Sequence, residues 1–590
     1  MIGKIRQQLT FGTRKPLRTP GRRRPCMPSK KLIADGPVRE AIETGRTRLF
    51  ITGSVLMLAF GCIGLRLVDL TVFRSAEEPR VGRIAQSERI ETERADVVDR
   101  NGTILATGLP TASLVADPKL VIDPDEAAQL VASVLPDANA SEIAAKLRME
   151  RRFVLLRRKL TPGQQWNIHR LGIPGLNFQR EETRSFPHGR LFSHVLGFTD
   201  VDNHGLTGVE KSFDSRLRTE RETLQLTLDV RLQHIMHTAL SGAIDEYKAI
   251  GGAGVILDIR SGEVLSLVSL PDFEPSLAGE ASEDQRRNRA TLGVYELGSA
   301  FKIFTTAMAL DAGVVTMDDG YDATKPLKVS RFTIRDFHAK KRWLSVPEIF
   351  MYSSNIGAAK MAVDVGTETQ RDYLGKLGLL KPSPIELPEV GSPLLPLRWQ
   401  TINTMTVSFG HGIAVSPLQL ASAVSAVLNE GVYYPPTLVK RSADAPKPMG
   451  QRVVSKRTSH EMRRLLRLVV EQGTGRRAAA KGFLVGGKTG SAEKQVNGRY
   501  KRKSLISSFV GAFPMNDPKY LVLAILDEPK GTKATFGNAT GGWVAAPVVR
   551  QVVERMGPIM GLAPVDESSP ELQELLTVTL PSEGPKLASF

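Results

Sequence analysis

Apolar positions along this chain follow three different patterns, and each predicts a different kind of element. From Leu49 to Leu65 the run LFITGSVLMLAFGCIGL carries no charge. Its 17 residues make a helix about 26 Å long, short for a bilayer, but Arg66 can snorkel and Leu67-Val68 extend the stretch. From Arg231 to about Ala249 the period is that of an amphipathic helix, with Leu232, Ile235, Met236, Ala239, Leu240, Ala243 and Ile244 on one face. Gly254–Ile259 and Glu263–Val268 flank Arg260-Ser-Gly262, which predicts a β-hairpin. Short apolar runs near Leu484, Phe509 and Tyr520–Ile525 predict further strands, with a hairpin turn at Asn497-Gly498. Helices are expected at 300–310, 353–365 and 455–473. The sum is a mixed α/β fold: an antiparallel sheet with helices packed on it and a cleft between sheet and helical region.

The rest of the chain reads differently. Residues 75–93 are polar and charged and predict an extended stalk. From Arg94 to about Thr227, strand-like pieces such as Phe153-Val-Leu-Leu156 alternate with Asp/Pro-rich helices, which predicts a separate α+β module. Residues 561–590 are rich in Pro, Ser and Glu and are expected to be loosely ordered.

Charge decides how the first apolar run is read. The net charge is +17, but residues 1–48 alone hold thirteen Lys/Arg against three Asp/Glu. Basic residues before an apolar span keep the N-terminus on the cytoplasmic side. The expectation is a single uncleaved anchor with the body outside. A cleaved signal peptide is the alternative, but the basic segment is very long and Arg66 interrupts a small-residue cleavage site. Nucleic-acid binding is not expected, because neither aromatic residues nor a binding motif accompany the basic tail. The only cysteines are Cys26, in the tail, and Cys62, inside the span, so the exported body has no disulfide and no zinc-type Cys spacing. Neither a cofactor nor a metal is expected.

Three short strings carry the chemistry: Ser299-Ala-Phe-Lys302, Ser353-Ser-Asn355 and Lys488-Thr489-Gly490-Ser491. Each of the first two patterns should occur by chance roughly once or twice in a chain of this length. The ordered trio is specific because it supplies a nucleophile, a base, a proton relay and an anion site. A serine attacks only when something removes its proton. On a helix, i and i+3 share a face, so Lys302 lies beside Ser299. A free lysine is neutral in only about one molecule in 2,500 at pH 7, so Lys302 must be buried or repelled by another cation to serve as base. Lys488 is the candidate for that repulsion. Ser353 can relay a proton, and the Asn355 amide can bond to Lys302 and to a substrate carbonyl. Thr489, Gly490 and Ser491, on a Gly-rich strand, suit a carboxylate. A backbone N–H near Ser491 and that of Ser299 could form an oxyanion hole. Ser353 and Asn355 would equally suit a helix N-cap.

With these strings in place, the chain resembles the class B penicillin-binding proteins, monofunctional peptidoglycan D,D-transpeptidases. The likeness extends to Asn288-Arg-Ala290, Tyr295-Glu-Leu-Gly298, Ser408–Ala421 and, upstream, Arg94–Gly102, Arg184-Ser-Phe-Pro187, Gly205–Glu210 and Leu226–Asp229. It covers roughly residues 80 to 555. Gly541–Val548 and the overall length look most like the division-specific, FtsI-like branch; the elongation-specific branch is the alternative. Ala95, Leu297, Ala300 and Ser491 depart from the usual residues without removing a catalytic group. His411 sits where the family varies and is read as a cleft-lining residue, not a metal ligand.

The resemblance implies a layout: a basic cytoplasmic tail (1–48), a transmembrane anchor (49–70), a stalk and pedestal of the dimerisation type (71–230), a transpeptidase domain (231–560) and a loose tail (561–590). It implies that Ser299 forms an acyl-enzyme with stem peptides or β-lactams. It further implies a place in the bacterial inner membrane with the catalytic domain periplasmic, and contact with a lipid II polymerase of the FtsW type and other division proteins. A β-lactamase shares the trio, but Glu386 and Glu389 form no Glu-x-x-Asn arrangement that would activate a deacylating water. A sensor would need further spanning or signalling segments, and the intact trio argues against a scaffold with a vestigial site.

Overall fold

In the computed structural model the described residues are 36–68 and 94–580, except 221, 330–331, 443–444, 447–448 and 497–498. The basic tail before Gly36, Cys26, the expected stalk and the Asn497-Gly498 turn lie outside them. Met1–Glu91 and Thr92–Phe590 are two separate units.

In the first unit, Gly36–Val68 is one helix of 33 residues. Its segment Arg46–Arg66 has mean hydropathy 1.8 over its most apolar stretch, and that stretch is fully exposed. By length and composition it can cross a membrane.

The second unit holds two principal sheets. The first is built around the long strand Ile104–Ala116, which pairs antiparallel with Val154–Leu160 and with Leu176–Ser185. Helices Pro124–Val134 and Ala140–Leu147 cover it. Each starts at a side-chain cap, Asp123 and Asn139, and each buries a short apolar stripe: Ala127 and Val131, Ile143 and Leu147. The strand Val97–Val98 joins this sheet to Leu224–Gln225.

The second sheet has five antiparallel strands in the order Gly486–Val496, Arg499–Phe513, Tyr520–Asp527, Gly251–Asp258, Val264–Leu270. Alternate residues of the central strands enter different cores. Val255, Leu257, Leu523 and Ile525 face one side, whereas Ile256, Val522 and Ala524 face the other. That is why these strands read as continuous apolar runs. Helices Val230–Tyr247 and Ala546–Ile559 cover one face, while Lys302–Asp311, Asn355–Val365, Pro417–Leu428 and Lys456–Glu471 contribute to the core on the other.

The amphipathic helix keeps its predicted apolar face, with two additions. Tyr247 and Gln233 are also buried. The Gln233 amide donates to the carbonyls of Leu191 and Leu267 and accepts from Ser266 Oγ and Leu267 N, which fixes the helix on the sheet. A hydrophobic pattern does not register such a residue.

The segment after Gly561 differs from the loose tail expected there. Pro570–Leu576 forms a helix, and Leu576 and Val578 are buried. Glu567 binds Arg467 and the Gly482 N–H, and Arg464 binds the Thr577 carbonyl. Its composition is polar, but two apolar anchors and three tethers suffice to dock it. Residues 581–590 lie outside the described residues.

Candidate active site

Ser299 lies in a single 3-10 turn, Gly298–Phe301, that runs into helix Lys302–Asp311. In such a turn residues i and i+3 eclipse, so Lys302 stands over Ser299 more directly than the α-helical spacing predicts. Its Nζ is 3.0 Å from Ser299 Oγ. Gly298 makes the turn possible: it has φ +55°, and a Cβ there would meet the Ser491 carbonyl at 2.6 Å. The Ser299 turn is therefore pressed against the edge strand Gly486–Val496.

Ser353 ends helix Val346–Tyr352 in the left-handed conformation, φ 60°. For a residue with a side chain this costs about 1–2 kcal/mol. The conformation turns both the carbonyl and the hydroxyl of Ser353 to Lys302 Nζ, at 2.7 and 3.1 Å, and Asn355 Oδ1 adds a contact at 2.6 Å. Two of these partners, the carbonyl and Oδ1, can only accept, so they hold two N–H groups of Lys302. A neutral amine held this way has its lone pair left for the Ser299 hydroxyl. Ser354, not Ser353 or Asn355, is the N-cap of helix Asn355–Val365. The cap and the Lys302 contacts thus fall on neighbouring residues of one turn.

Lys488 Nζ donates to Ser353 Oγ at 2.9 Å, so one hydroxyl sits between the two amines. Both lysines are buried, and among the described residues no carboxylate is within ion-pair reach of either. Burial pushes the Lys302 amine well below its ordinary value, and the charge of Lys488 pushes it further. Burial brings Lys488 down to about 7. Such a pair can hold Lys302 unprotonated at neutral pH, able to take a proton from Ser299.

The other residues of the third string point across the edge strand. Thr489 Oγ1 is 2.9 Å from Thr474 Oγ1, and Ser491 Oγ accepts from the Gly541 N–H at 3.0 Å. Gly490 is where the strand passes the Ser299 turn: a Cβ there would meet the Leu297 carbonyl at 2.5 Å. All eight predicted site residues thus come to one place. His411 is half-buried, with its ring against Phe409 and Tyr500 at 5.3 and 5.7 Å. Burial lowers it to about 4, so it stays neutral and forms part of an aromatic wall.

The Penicillin binding protein transpeptidase domain profile matches residues 252–554, and the Penicillin-binding Protein dimerisation domain profile matches 89–240. The chain is 41% identical over 531 residues to the probable peptidoglycan D,D-transpeptidase FtsI of Caulobacter vibrioides, covering 88% of this chain and 89% of that one. The chain belongs to the penicillin-binding protein transpeptidases. It is also 30% identical to peptidoglycan D,D-transpeptidase FtsI of Escherichia coli K12, over 81% of this chain and 84% of that one. Penicillin binding protein 3 from Mycobacterium tuberculosis shares the fold, with TM-score 0.65 at 24% identity over 83% of this chain and 99% of that one.

Within this penicillin-binding transpeptidase, two residues beside the site, Asp336 and Thr474, were not found from sequence, and a third, Glu296, was seen only as part of a motif. Asp336 accepts the N–H groups of Asn355 and Ile356 and the Ser354 hydroxyl, at 2.6, 2.9 and 2.8 Å. It holds the turn that carries Ser353, and its charge partly offsets the lowering of Lys302. Its sequence signal is faint: one acid within a strongly basic run, 325–342. Thr474 sits in Gly473-Thr-Gly475, a tight turn after a long helix. Glu296 accepts from Gly412 N and Tyr500 OH at the mouth of the cleft. The carboxylates weighed for a lactamase are engaged elsewhere: Glu386 with Thr437 and the Leu438 N–H, Glu389 with the Gly208 N–H.

Proposed function

We propose that this chain is a membrane-anchored peptidoglycan D,D-transpeptidase of the division type, with Ser299 as nucleophile and Lys302 as general base. Ser299 Oγ attacks the carbonyl carbon of the penultimate D-Ala of a stem peptide, and its proton passes to Lys302 Nζ. Ser353 relays that proton to the amide nitrogen, the C–N bond breaks, and the terminal D-Ala leaves. An amine of a neighbouring stem then attacks the ester, gives up its proton by the same route, and restores Ser299. Asn355 orients Lys302 and a substrate carbonyl. Lys488, Thr489 and Ser491 hold the terminal carboxylate against the Gly490 strand, and the N–H groups of Ser299 and Ser491 receive the oxyanion. β-Lactams acylate Ser299 in the same way and stay.

The observation that carries this reading is the 3.0 Å approach of a buried, carboxylate-free Lys302 to Ser299. The finer placement follows the same proposal. The segment 49–70 anchors the chain in the inner membrane with residues 1–48 cytoplasmic, residues 71–230 form the stalk and pedestal, and 231–560 form the periplasmic transpeptidase domain. The anchor and pedestal contact a lipid II polymerase of the FtsW type and other division proteins. Labelling with a fluorescent penicillin followed by a chase tests the chemistry. A stable adduct that is absent in Ser299→Ala supports a transpeptidase. A fast-decaying adduct points to a lactamase, and the absence of an adduct in folded wild type overturns the reading.

A further inference from the structure

The run 325–342 holds seven Lys/Arg and one acid, Asp336. Part of it is a small hairpin, Leu327–Val329 paired with Phe332–Ile334. In its register Leu327 lies opposite Ile334, which is buried, whereas Lys328 lies opposite Thr333, and both of these are exposed. The hairpin therefore buries Ile334 on one side, where Phe332 stays half exposed, and presents Lys328 to solvent on the other. The loop that follows adds exposed Arg335, Lys340 and Lys341, with Phe337 83% exposed between them. Among the described residues none of Lys328, Arg335, Lys340 or Lys341 reaches a carboxylate. The one acid of the run is turned inward.

That inward acid fixes where the cations stand. Asp336 is bonded to Ser354, Asn355 and Ile356, and the Arg335 carbonyl accepts from the Asn355 amide at 3.0 Å. Lys340 Nζ lies 4.2 Å from the ring centre of Tyr352, the residue before Ser353. The loop of this basic flap is thus tied to the turn that contacts Lys302 at two points, Arg335-Asp336 and Lys340. Whatever anion it binds is held next to the nucleophile.

We propose that this flap binds the acidic groups of the peptidoglycan strand whose stem peptide occupies the cleft. The proposal rests on the transpeptidase reading above. A stem peptide carries free carboxylates along its length besides the one at its end, and its sugars present apolar ring faces that suit an exposed aromatic such as Phe337. Clustered cations with an aromatic between them match both features, and the attachment to the Ser353 turn favours a ligand that enters the cleft over a membrane surface. The flap works by long-range attraction and by many weak contacts, so it guides a long anionic strand and has little effect on a small ligand.

The test compares wild type with Lys328→Glu/Lys341→Glu and Lys328→Gln/Lys341→Gln in the full-length protein. The probes are uncross-linked peptidoglycan strands and a diacetylated Lys-D-Ala-D-Ala peptide, whose only carboxylate is the terminal one. Strand binding should fall about tenfold in the Glu variant and by less in the Gln variant, the size of a few exposed ion pairs acting together. Added salt should erase the difference. Binding of the small peptide and labelling by fluorescent penicillin should match wild type. Unchanged strand binding overturns the proposal. So does an equal loss for the small peptide and penicillin, which would mean the flap only shapes the catalytic turn, and so does competition by vesicles of anionic phospholipid that outmatches the strands. Penicillin labelling of the wild type tests the transpeptidase reading separately, whichever way the strands behave.

Discussion

Arg94, Arg184 and Glu210 are as deeply buried as Lys302 and Lys488, yet the two groups are arranged on opposite rules. In the first, Glu210 lies between two guanidinium groups, at 2.6 Å from Arg94 and 2.7 Å from Arg184, and Asp214 takes another nitrogen of Arg94. Every charge there has an opposite charge beside it. In the second, two amines share one serine hydroxyl, and among the described residues no carboxylate pairs with either. Compensated burial holds two segments, Arg94 and Glu210, that are 116 residues apart. Uncompensated burial lowers the affinity of the Lys302 amine for a proton. The contrast separates charges that pair within the fold from charges left free for the proposed chemistry, without reference to any motif.

The sharpest way to break the comparison is to remove one member of each group. Lys302→Met should cut the rate of Ser299 acylation by about a thousandfold, the scale of a lost general base. It should leave thermal stability unchanged or slightly raised, because an uncompensated buried amine is removed. Glu210→Gln should do the reverse. It leaves Arg94 and Arg184 facing each other, costs about 3–5 kcal/mol in denaturant unfolding, and leaves the acylation rate of the folded fraction close to wild type.

A finer test uses the two charges that act on Lys302. Lys488 lowers Lys302 and Asp336 raises it. Lys488→Gln should therefore move the acid limb of the acylation rate to higher pH, and Asp336→Asn should move it to lower pH. Asp336→Asn should also cost about 1–2 kcal/mol of stability, because two N–H groups at the start of a helix lose an anion. Limbs that shift in the same direction would contradict the electrostatic account. The smallest effect is expected at the C-terminal segment. Glu567→Ala removes bonds to Arg467 and Gly482, so unfolding should become easier by about 1 kcal/mol with acylation unchanged.

The eight candidate site residues were legible in the sequence because their spacing is local. Ser299 and Lys302 are three residues apart, Ser353 and Asn355 two, and Lys488 to Ser491 are consecutive. The strands and the amphipathic helix were legible for the same reason, since periodicity is also local. Asp336 was not legible, because its task lies at Ser354–Ile356, across a hairpin that no spacing rule connects. Thr474 meets Thr489 only once a helix and a strand have packed. The docked segment 561–580 was masked by its polar composition, which says nothing about Leu576 and Val578 as anchors. The left-handed backbone of Ser353 left no mark in the sequence either, because glycine, which would have marked it, has no hydroxyl to offer Lys302.

The central claim is that Lys302 is a free amine at neutral pH because it is buried beside Lys488 without a carboxylate. The most direct test is the rate constant for acylation of Ser299 by a fluorescent penicillin as a function of pH. The account predicts a rate that is already on its plateau near neutral pH, with an acid limb far below the ordinary lysine value of 10.5. A rate that keeps climbing toward that value would mean that Lys302 is an ordinary ammonium, and the account would be wrong.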